Sequence, residues 1–244
     1  VSWHWGFIGI ALLATLSWFG LKAKMPEQHV SIPKQPLSYV WDDFKAVFSN
    51  KRFMALSLSL PLVSIPLILW IAMSPVILVE QLGLTNMQYG LAQVPVLGAL
   101  ILGNIVLIRV IDQLALGRTV MLALPLMLIG TLIVIAGVIW QEYMLWCLVL
   151  GMTLISFGEG CSFSVLYRFS LSASEVSKGT VAAAVGMIMM VAFFVVIEIV
   201  RILYGHFDIW AYALACFALI AVWFTVPRSV VKSIMQERAV SGQF

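Results

Sequence analysis

Charged residues are scarce in this chain. Of its 244 residues, 10% are Asp, Glu, Lys or Arg and 62% are hydrophobic, whereas a soluble domain carries roughly 25% charged residues. A water-soluble core cannot absorb so many apolar side chains, so the composition excludes an ordinary soluble domain and predicts that the bilayer is the solvent. The net charge of +3 indicates no nucleic-acid partner, because Lys and Arg in membrane proteins report topology.

Cysteine and histidine are also sparse, with three of each. Cys147, Cys161 and Cys216 fall inside apolar runs without C-x-x-C spacing, so neither a disulfide nor a metal site is predicted. The histidines are scattered, and the chain has no Ser/His/Asp order and no phosphate-binding glycine loop. We therefore expect no enzyme, no metal and no bound cofactor.

Apolar runs long enough to cross a bilayer fill most of the chain. A transmembrane helix needs about 20 predominantly apolar residues. Charged and turn-rich stretches divide the sequence into seven such segments: Trp3–Leu21, Phe53–Val79, Gly90–Ile111, Thr119–Trp140, Met144–Tyr167, Gly179–Val200 and Ile209–Val226. The predicted fold class is an all-α membrane protein with seven transmembrane helices.

The basic residues predict the orientation. Of the fourteen Lys and Arg, only Arg201 lies on one side of the predicted membrane, and all the others lie on the opposite side. This positive-inside bias places the C-terminus in the cytoplasm. The short external connections carry the acids Glu80, Glu142 and Asp208.

One connection is far longer than the others. Residues 22–52 form a linker with three prolines, and its second half repeats apolar residues at helical spacing: Leu37, Val40, Trp41, Phe44 and Phe48. Such a helix either lies on the inner leaflet or is a solvated linker helix. The predicted organisation is one helix over 1–21, a cytoplasmic linker over 22–52, a six-helix bundle over 53–227 and a cytoplasmic tail over 228–244.

Two amides lie on one stripe of the third segment. Gln93 and Asn104 share a helix face with Leu97 and Leu100 at i, i+4, i+7 and i+11. Polar groups inside a span usually face other helices or a water-filled cavity. Hydrogen bonds between helices are the favoured interpretation, and a lining of a polar cavity is the alternative.

Glu159 is the most informative charge. It lies about two-thirds of the way along the fifth segment, between Gly158 and Gly160, and an intramembrane carboxylate indicates function by default. It is either a proton-relaying or cation-attracting group, or a neutral acid tolerated beside glycines. Arg168, nine residues later, falls on roughly the opposite face, so the two do not pair within the helix.

Two apolar faces are compatible with packing or with a ligand cavity. Leu67, Ile68 and Ile71 lie beside a proline-rich stretch of the second segment, and prolines often kink helices that border a pathway. On the sixth segment, the small-residue run Gly179–Gly186 precedes a stripe that includes Gly186 and Phe193. Nearby, Glu198 and Arg201 have the i, i+3 spacing of an ion pair.

Seven helices also describe a heptahelical receptor or sensor. The last span has no lysine for a retinal Schiff base, and a first cytoplasmic loop of about thirty residues fits receptors poorly. A twelve-helix transporter with two six-helix halves joined by a long linker fits better. The chain would then be a fragment that begins at the sixth helix.

Four stretches support the transporter interpretation by resemblance. The chain closely resembles bacterial multidrug/proton antiporters of the major facilitator superfamily at Ser64–Pro75, Tyr89–Pro95, Gly98–Asn104 and Ser177–Val181. The resemblance runs from the first helix to at least Glu198. It implies that the chain is helix 6 plus the C-terminal six-helix half of a twelve-helix fold, in a bacterial inner membrane.

The resemblance also implies a function and a site. It implies export of lipophilic drugs in exchange for protons, with the proton-coupling acids in an absent N-terminal half and a complete protein that is monomeric. It further implies a drug cavity lined by six residues: Leu67, Ile68, Ile71, Leu100, Gly186 and Phe193. Arg168 matches an arginine of these antiporters, at the cytoplasmic mouth, whereas Glu159 stands where they have an apolar residue.

Overall fold

The computed structural model describes residues 4–24, 37–110 and 116–225, and the regular elements within these ranges are helical. The α-helices are α1 (His4–Lys24), α2 (Leu37–Ser49), α3 (Lys51–Ser74), α4 (Asn86–Val110), α5 (Leu116–Ile139), α6 (Met144–Ser172), α7 (Lys178–Phe207) and α8 (Ile209–Thr225). A π-helical segment, Pro75–Gln81, continues α3, and a 3-10 turn, Gln141–Tyr143, precedes α6. The predicted tail, 228–244, and linker residues 25–36 lie outside the described residues.

The chain comprises two units, Val1–Tyr39 and Val40–Phe244, of which the first contains α1. This helix has no buried residue, and its large apolar side chains are exposed on all sides. A helix that is apolar all round is stable in lipid or against other helices, not in water. Its amino-acid sequence therefore agrees with a transmembrane position.

A described helix lies at each of the seven predicted positions, but only six of the seven qualify as spans by length and composition. Six are long and apolar enough to cross a membrane, whereas α8, at the seventh predicted position, has 17 described residues. The predicted boundaries are wrong by up to seven residues at the end of α7, which reaches Phe207 rather than Val200. Within its last turns, Arg201 Nη2 lies 2.8 Å from Glu198 Oε2, an i, i+3 ion pair that confirms the predicted pairing.

Within the second unit, α6 is the central helix and contacts α3, α4, α5 and α7. Glycines allow this close packing. A Cβ built on Gly151 would lie 2.6 Å from Gly130 O of α5, and one built on Gly103 of α4 would lie 3.1 Å from the Gly160 Cα. Small residues let membrane helices approach to backbone contact, so the α4–α6 and α5–α6 contacts depend on residues without a side chain.

The prolines of α3 interrupt its backbone hydrogen bonding in the membrane. Pro61 and Pro66 lie inside the helix, and Pro75 begins the π-helical segment. Each proline lacks the N–H that would bond to the carbonyl four residues earlier. The carbonyls left without this bond are those of Ser57, Leu62 and Ile71. The side chains of Ser59 and Ser64 bond to other carbonyls of the helix, those of Ala55 and Leu60, at 2.7 and 3.0 Å.

Two helices of the second unit leave wide apolar surfaces uncovered. The share of the apolar stretch that is buried is 22% in α4 and 17% in α7, against 61% in α3 with its π-helical segment. The uncovered faces of α4 and α7 are therefore the surfaces that this bundle presents to lipid or to further helices.

A single residue, Asp208, with φ of 49°, joins α7 to α8.

Candidate functional site

The three apolar residues predicted on α3 lie at different depths. Leu67 is buried at 4% exposure, Ile68 is half-buried, and Ile71 is 52% exposed. Helix α3 contacts α7 and is hydrogen-bonded to α4. It therefore joins the two helices that carry the other three predicted cavity residues. Ile71 is the one whose side chain is most available to a ligand.

The other three predicted cavity residues lie on α4 and α7. Leu100 and Phe193 are half-buried and pack against the core of the bundle. Gly186 has no atom within 4 Å of the position that a Cβ would take. The space beside Gly186 is therefore open in this unit.

Two of the apolar cavities between the described helices include none of these six residues. One, of about 160 Å³, lies between α4, α5 and α6. The other, of about 520 Å³, lies between α7 and α8. Of the six residues, Ile71 is exposed and Leu67 is buried, and none lines either of these two cavities.

Gln93 joins α4 to α3 through a short hydrogen-bond network. Trp70 Nε1 donates to Gln93 Oε1 at 2.7 Å, and Gln93 Nε2 donates to Ser74 Oγ at 3.2 Å. Ser74 Oγ lies 3.2 Å from the Tyr89 hydroxyl. The network holds the N-terminal part of α4 against the end of α3, where the π-helical segment begins. A helix-to-helix bond was the favoured interpretation of this amide, and the structure shows one.

Asn104 bonds across to α6 in the same manner. Its side-chain nitrogen donates to Leu100 O at 2.9 Å, and its oxygen accepts a hydrogen bond from Ser164 Oγ at 3.2 Å. The predicted amide stripe therefore bonds to two different neighbours, α3 at Gln93 and α6 at Asn104.

Glu159 lies inside the bundle with an unpaired carboxylate oxygen. Its side chain is 7% exposed, and Oε2 has no hydrogen-bond partner in the part of the chain that the structure describes. Ser156 and Ser162, three residues before and after it, are also buried, and their hydroxyls likewise lack partners there. Unpaired polar groups are costly in hydrocarbon, and ionisable ones usually mark functional positions.

The glycines beside Glu159 serve helix packing. A Cβ at Gly158 would meet the Met127 side chain of α5, and one at Gly160 would meet the Leu100 carbonyl of α4. Arg168 is exposed, in agreement with its expected position on the opposite face from Glu159. The structure thus does not bring the two charges together.

Two features escaped the sequence analysis. Trp70 is fully buried and donates to Gln93, but no sequence pattern paired these residues. The α5–α6 contact did leave a signal, since Gly130 and Gly137 repeat at seven residues on α5 and Gly151 and Gly158 do so on α6. Glycines at this spacing return to one helix face every two turns.

The packed long apolar helices, with amides bonding between them and one buried carboxyl, define a polytopic α-helical membrane protein. Comparison with known proteins narrows this class. Over 238 residues, the chain is 65% identical to the chloramphenicol resistance protein CraA of Acinetobacter baumannii. The matched region is 98% of this chain and 58% of CraA. It is also similar to the multidrug transporter MdfA, at 37% over 204 residues in Yersinia pestis and 39% over 200 residues in Escherichia coli O6:H1.

These MdfA matches cover 83% and 82% of the chain and 50% and 49% of MdfA. The chain therefore spans about half the length of the curated relatives that it matches. No protein-family model matches it. The chain is a homologue of the drug transporters of the major facilitator superfamily, a family of transporters and not of enzymes. Among multidrug antiporters, the four stretches quoted above resemble MdfA in particular, and the comparison confirms this resemblance.

Proposed function

We propose that the chain is part of a proton-coupled exporter of lipophilic drugs and antibiotics in a bacterial inner membrane. The observation that carries this proposal is the 65% identity to a chloramphenicol resistance protein along 98% of the chain. Chloramphenicol is the first substrate to test, because it is in the name of that relative. The name of MdfA supports a range of drugs. Proton exchange follows from the resemblance to multidrug/proton antiporters.

The proposed architecture has twelve helices, of which this chain supplies seven. Residues 1–21 are the last helix of the N-terminal half, 22–52 the linker between the halves, 53–227 the C-terminal half and 228–244 the tail. The distribution of Lys and Arg supports a cytoplasmic linker and C-terminus. The uncovered faces of α4 and α7 support a partner half packed against this one, in a protein that is monomeric when complete.

The proposed drug site lies on the surface that this half presents to the other. Leu67, Ile68 and Ile71 of α3, Leu100 of α4, and Gly186 and Phe193 of α7 supply apolar contacts. The exposed side chain of Ile71 and the open space at Gly186 support this assignment. Neither of the two cavities described above includes them, which agrees with a site that needs both halves. Gln93, Asn104, Glu159 and Arg168 are the proposed polar positions of the cavity and its gate.

The test compares Ile71→Ala with Leu58→Ala in the complete gene product, expressed in a bacterium without its own drug exporters. Both side chains are on α3 and about half exposed, at 52% and 49%, but they point to different helix faces. We expect the unaltered protein to raise chloramphenicol resistance and to lose this effect with a proton uncoupler. Losing the apolar contact of a buried Ile costs roughly 1.5–3 kcal/mol, so Ile71→Ala should lower resistance about tenfold.

Leu58→Ala should leave resistance unchanged at equal protein level in the membrane. Equal loss in both variants would contradict the proposed cavity. No resistance to any drug from the unaltered protein would contradict the function itself.

A further inference from the structure

The linker helix α2 has one face that packs against the bundle. Val47 is fully buried, and Phe44 is half-buried against the same hydrophobic core. These two side chains place the second half of α2, from Phe44 to Val47, against the second unit.

A second apolar surface of α2 remains uncovered. Trp41 is 64% exposed, and Phe48 is also exposed. At about 100° per residue, Trp41 and Phe48 lie within about 20° of each other, and they are about 60° and about 40° from Phe44. The Phe48 ring stacks on Phe44 with centroids 6.3 Å apart. We call Trp41 and Phe48 the aromatic flank.

The polar groups of α2 lie beside this flank. Lys45 Nζ is 3.9 Å from Asp42 Oδ1, and both side chains are exposed. Lys45 is about 40° from Trp41 around the helix, and Asp42 is about 100° away. The order around the helix is therefore packed core, aromatic flank, lysine and acid.

The connection to α3 holds α2 at the edge of the membrane. Only Asn50, with an extended backbone, separates Ser49 at the end of α2 from Lys51 at the start of a membrane span. Asn50 Oδ1 accepts from the N–H groups of Arg52 and Phe53, and its Nδ2 donates to Ala173 O, just after α6, at 2.9 Å. Since this residue breaks the helix and the Phe44 face packs on the bundle, α2 turns aside where α3 begins.

We infer that the aromatic flank of α2 lies in the lipid headgroup region of the leaflet where α3 begins, with Lys45 reaching the headgroup phosphates. Trp concentrates at this depth because its ring is apolar and its N–H is polar, and lysine places its stem in the apolar layer and its charge in water. The occupant of the uncovered surface is therefore lipid. This inference decides between the two positions that the sequence left open for the helix.

The test places nitroxide labels on α2 in the complete gene product, reconstituted in phosphatidylethanolamine and phosphatidylglycerol vesicles. Single cysteines replace Trp41, Phe48 or Ala46 after all native cysteines are removed. Ala46 is exposed and about 140° from Trp41, so it is the matched control. We expect labels at 41 and 48 to relax with oxygen, at a depth of about 5–10 Å, and the label at 46 to relax with a water-soluble nickel chelate.

Equal access of nickel to all three labels would overturn the inference in favour of a solvated helix. Protection of 41 and 48 from both reagents would overturn it in favour of a protein partner. A second measurement needs no cysteine removal. Brominated lipids should quench part of the tryptophan fluorescence, and Trp41→Phe should remove a share of that quenching. Unchanged quenching in this variant would also overturn the inference.

Discussion

Glu159 is the residue whose environment in the bundle is least explained by packing. Its Oε2 is buried without a partner among the described residues, while the glycines on each side are used for contacts with α4 and α5. Two unpaired serine hydroxyls lie on the same side of α6. Packing against α4 and α5 therefore accounts for the glycines and not for the carboxyl group, whose role in proton or cation handling is a proposal.

Replacing Glu159 with Gln tests this role. The amide keeps the size of the side chain and removes its negative charge. A unit charge about 5 Å from a cationic drug is worth about 3 kcal/mol at an effective dielectric constant of 20, so transport of cationic drugs should fall about tenfold or more. Resistance to neutral and cationic drugs, measured side by side, checks this. Equal effects on both classes would indicate a structural role.

The Trp70–Gln93 hydrogen bond is expected to be energetically coupled. Gln93→Leu leaves the buried Trp70 N–H without its acceptor, and Trp70→Phe removes the donor. Interhelical hydrogen bonds in membrane proteins average about 0.6 kcal/mol and reach about 1.7, so a double-mutant cycle should give a coupling of about 1 kcal/mol in unfolding free energy. Gln88→Leu is the control, because Gln88 is exposed and, among the described residues, its side chain bonds only to Thr85, just before α4, and not to α3. A coupling near zero would contradict the network.

Sequence reasoning found one half of this network. An amide inside a span must find a polar partner, so Gln93 was identifiable as a bonding residue. Trp70 was not, because a tryptophan in an apolar run is compatible with lipid contact and with burial alike. Its partner is set by the packing of α3 against α4, which spacing along one helix does not encode.

At the scale of the elements, α6 holds α4 and α5 through backbone contacts. We predict that Gly103→Ala destabilises the bundle, since its Cβ would meet the Phe157 carbonyl and would lie 3.1 Å from the Gly160 Cα. Overpacking costs about 1–3 kcal/mol. Gly98→Ala on the same helix meets no atom within 4 Å and should be neutral or stabilising, because Ala favours helix over Gly by about 1 kcal/mol.

Thermal unfolding of both variants in detergent measures this difference. Equal midpoints would show that the contact between α4 and α6 adjusts to a methyl group.

The elements were largely predictable from apolar run length, but their ends were not. The runs identified the helices because hydrocarbon thickness sets a minimum span. The ends of α6 and α7 extend past the predicted limits, since headgroups and water satisfy polar side chains there and nothing requires the helix to stop. The π-helical segment after Ser74 was also missed, because Pro75 alone does not show which backbone hydrogen bonds replace the one it removes.

At the scale of the whole molecule, we predict that these 244 residues do not transport drugs by themselves. The proposed cavity residues all belong to one bundle, and the resemblance implies that the proton-coupling acids lie in the other half. Purified chain in liposomes should show no drug uptake driven by a proton gradient, whereas the complete gene product should show it. Proton-driven uptake by the chain alone would contradict the proposed division into halves.

The family could be predicted from four short stretches, and the 65% identity to CraA confirms it. The substrate could not, because apolar contacts such as Leu67 and Phe193 discriminate poorly between lipophilic molecules. One bundle supplies only part of the proposed cavity and of its polar gate, because the surfaces that would close them belong to the proposed N-terminal half.

The backbone contacts of α6 also restrict motion. Gly103, Gly160, Gly130 and Gly151 bring main chains together with no flexible side chain between them, and packed interfaces of this kind have discrete arrangements rather than a continuous range. Helices α4, α5 and α6 should therefore move as one rigid body. Any rearrangement that opens this bundle must then fall to α3, whose prolines and π-helical turn leave backbone groups free to change partners, and to the hinge at Asp208.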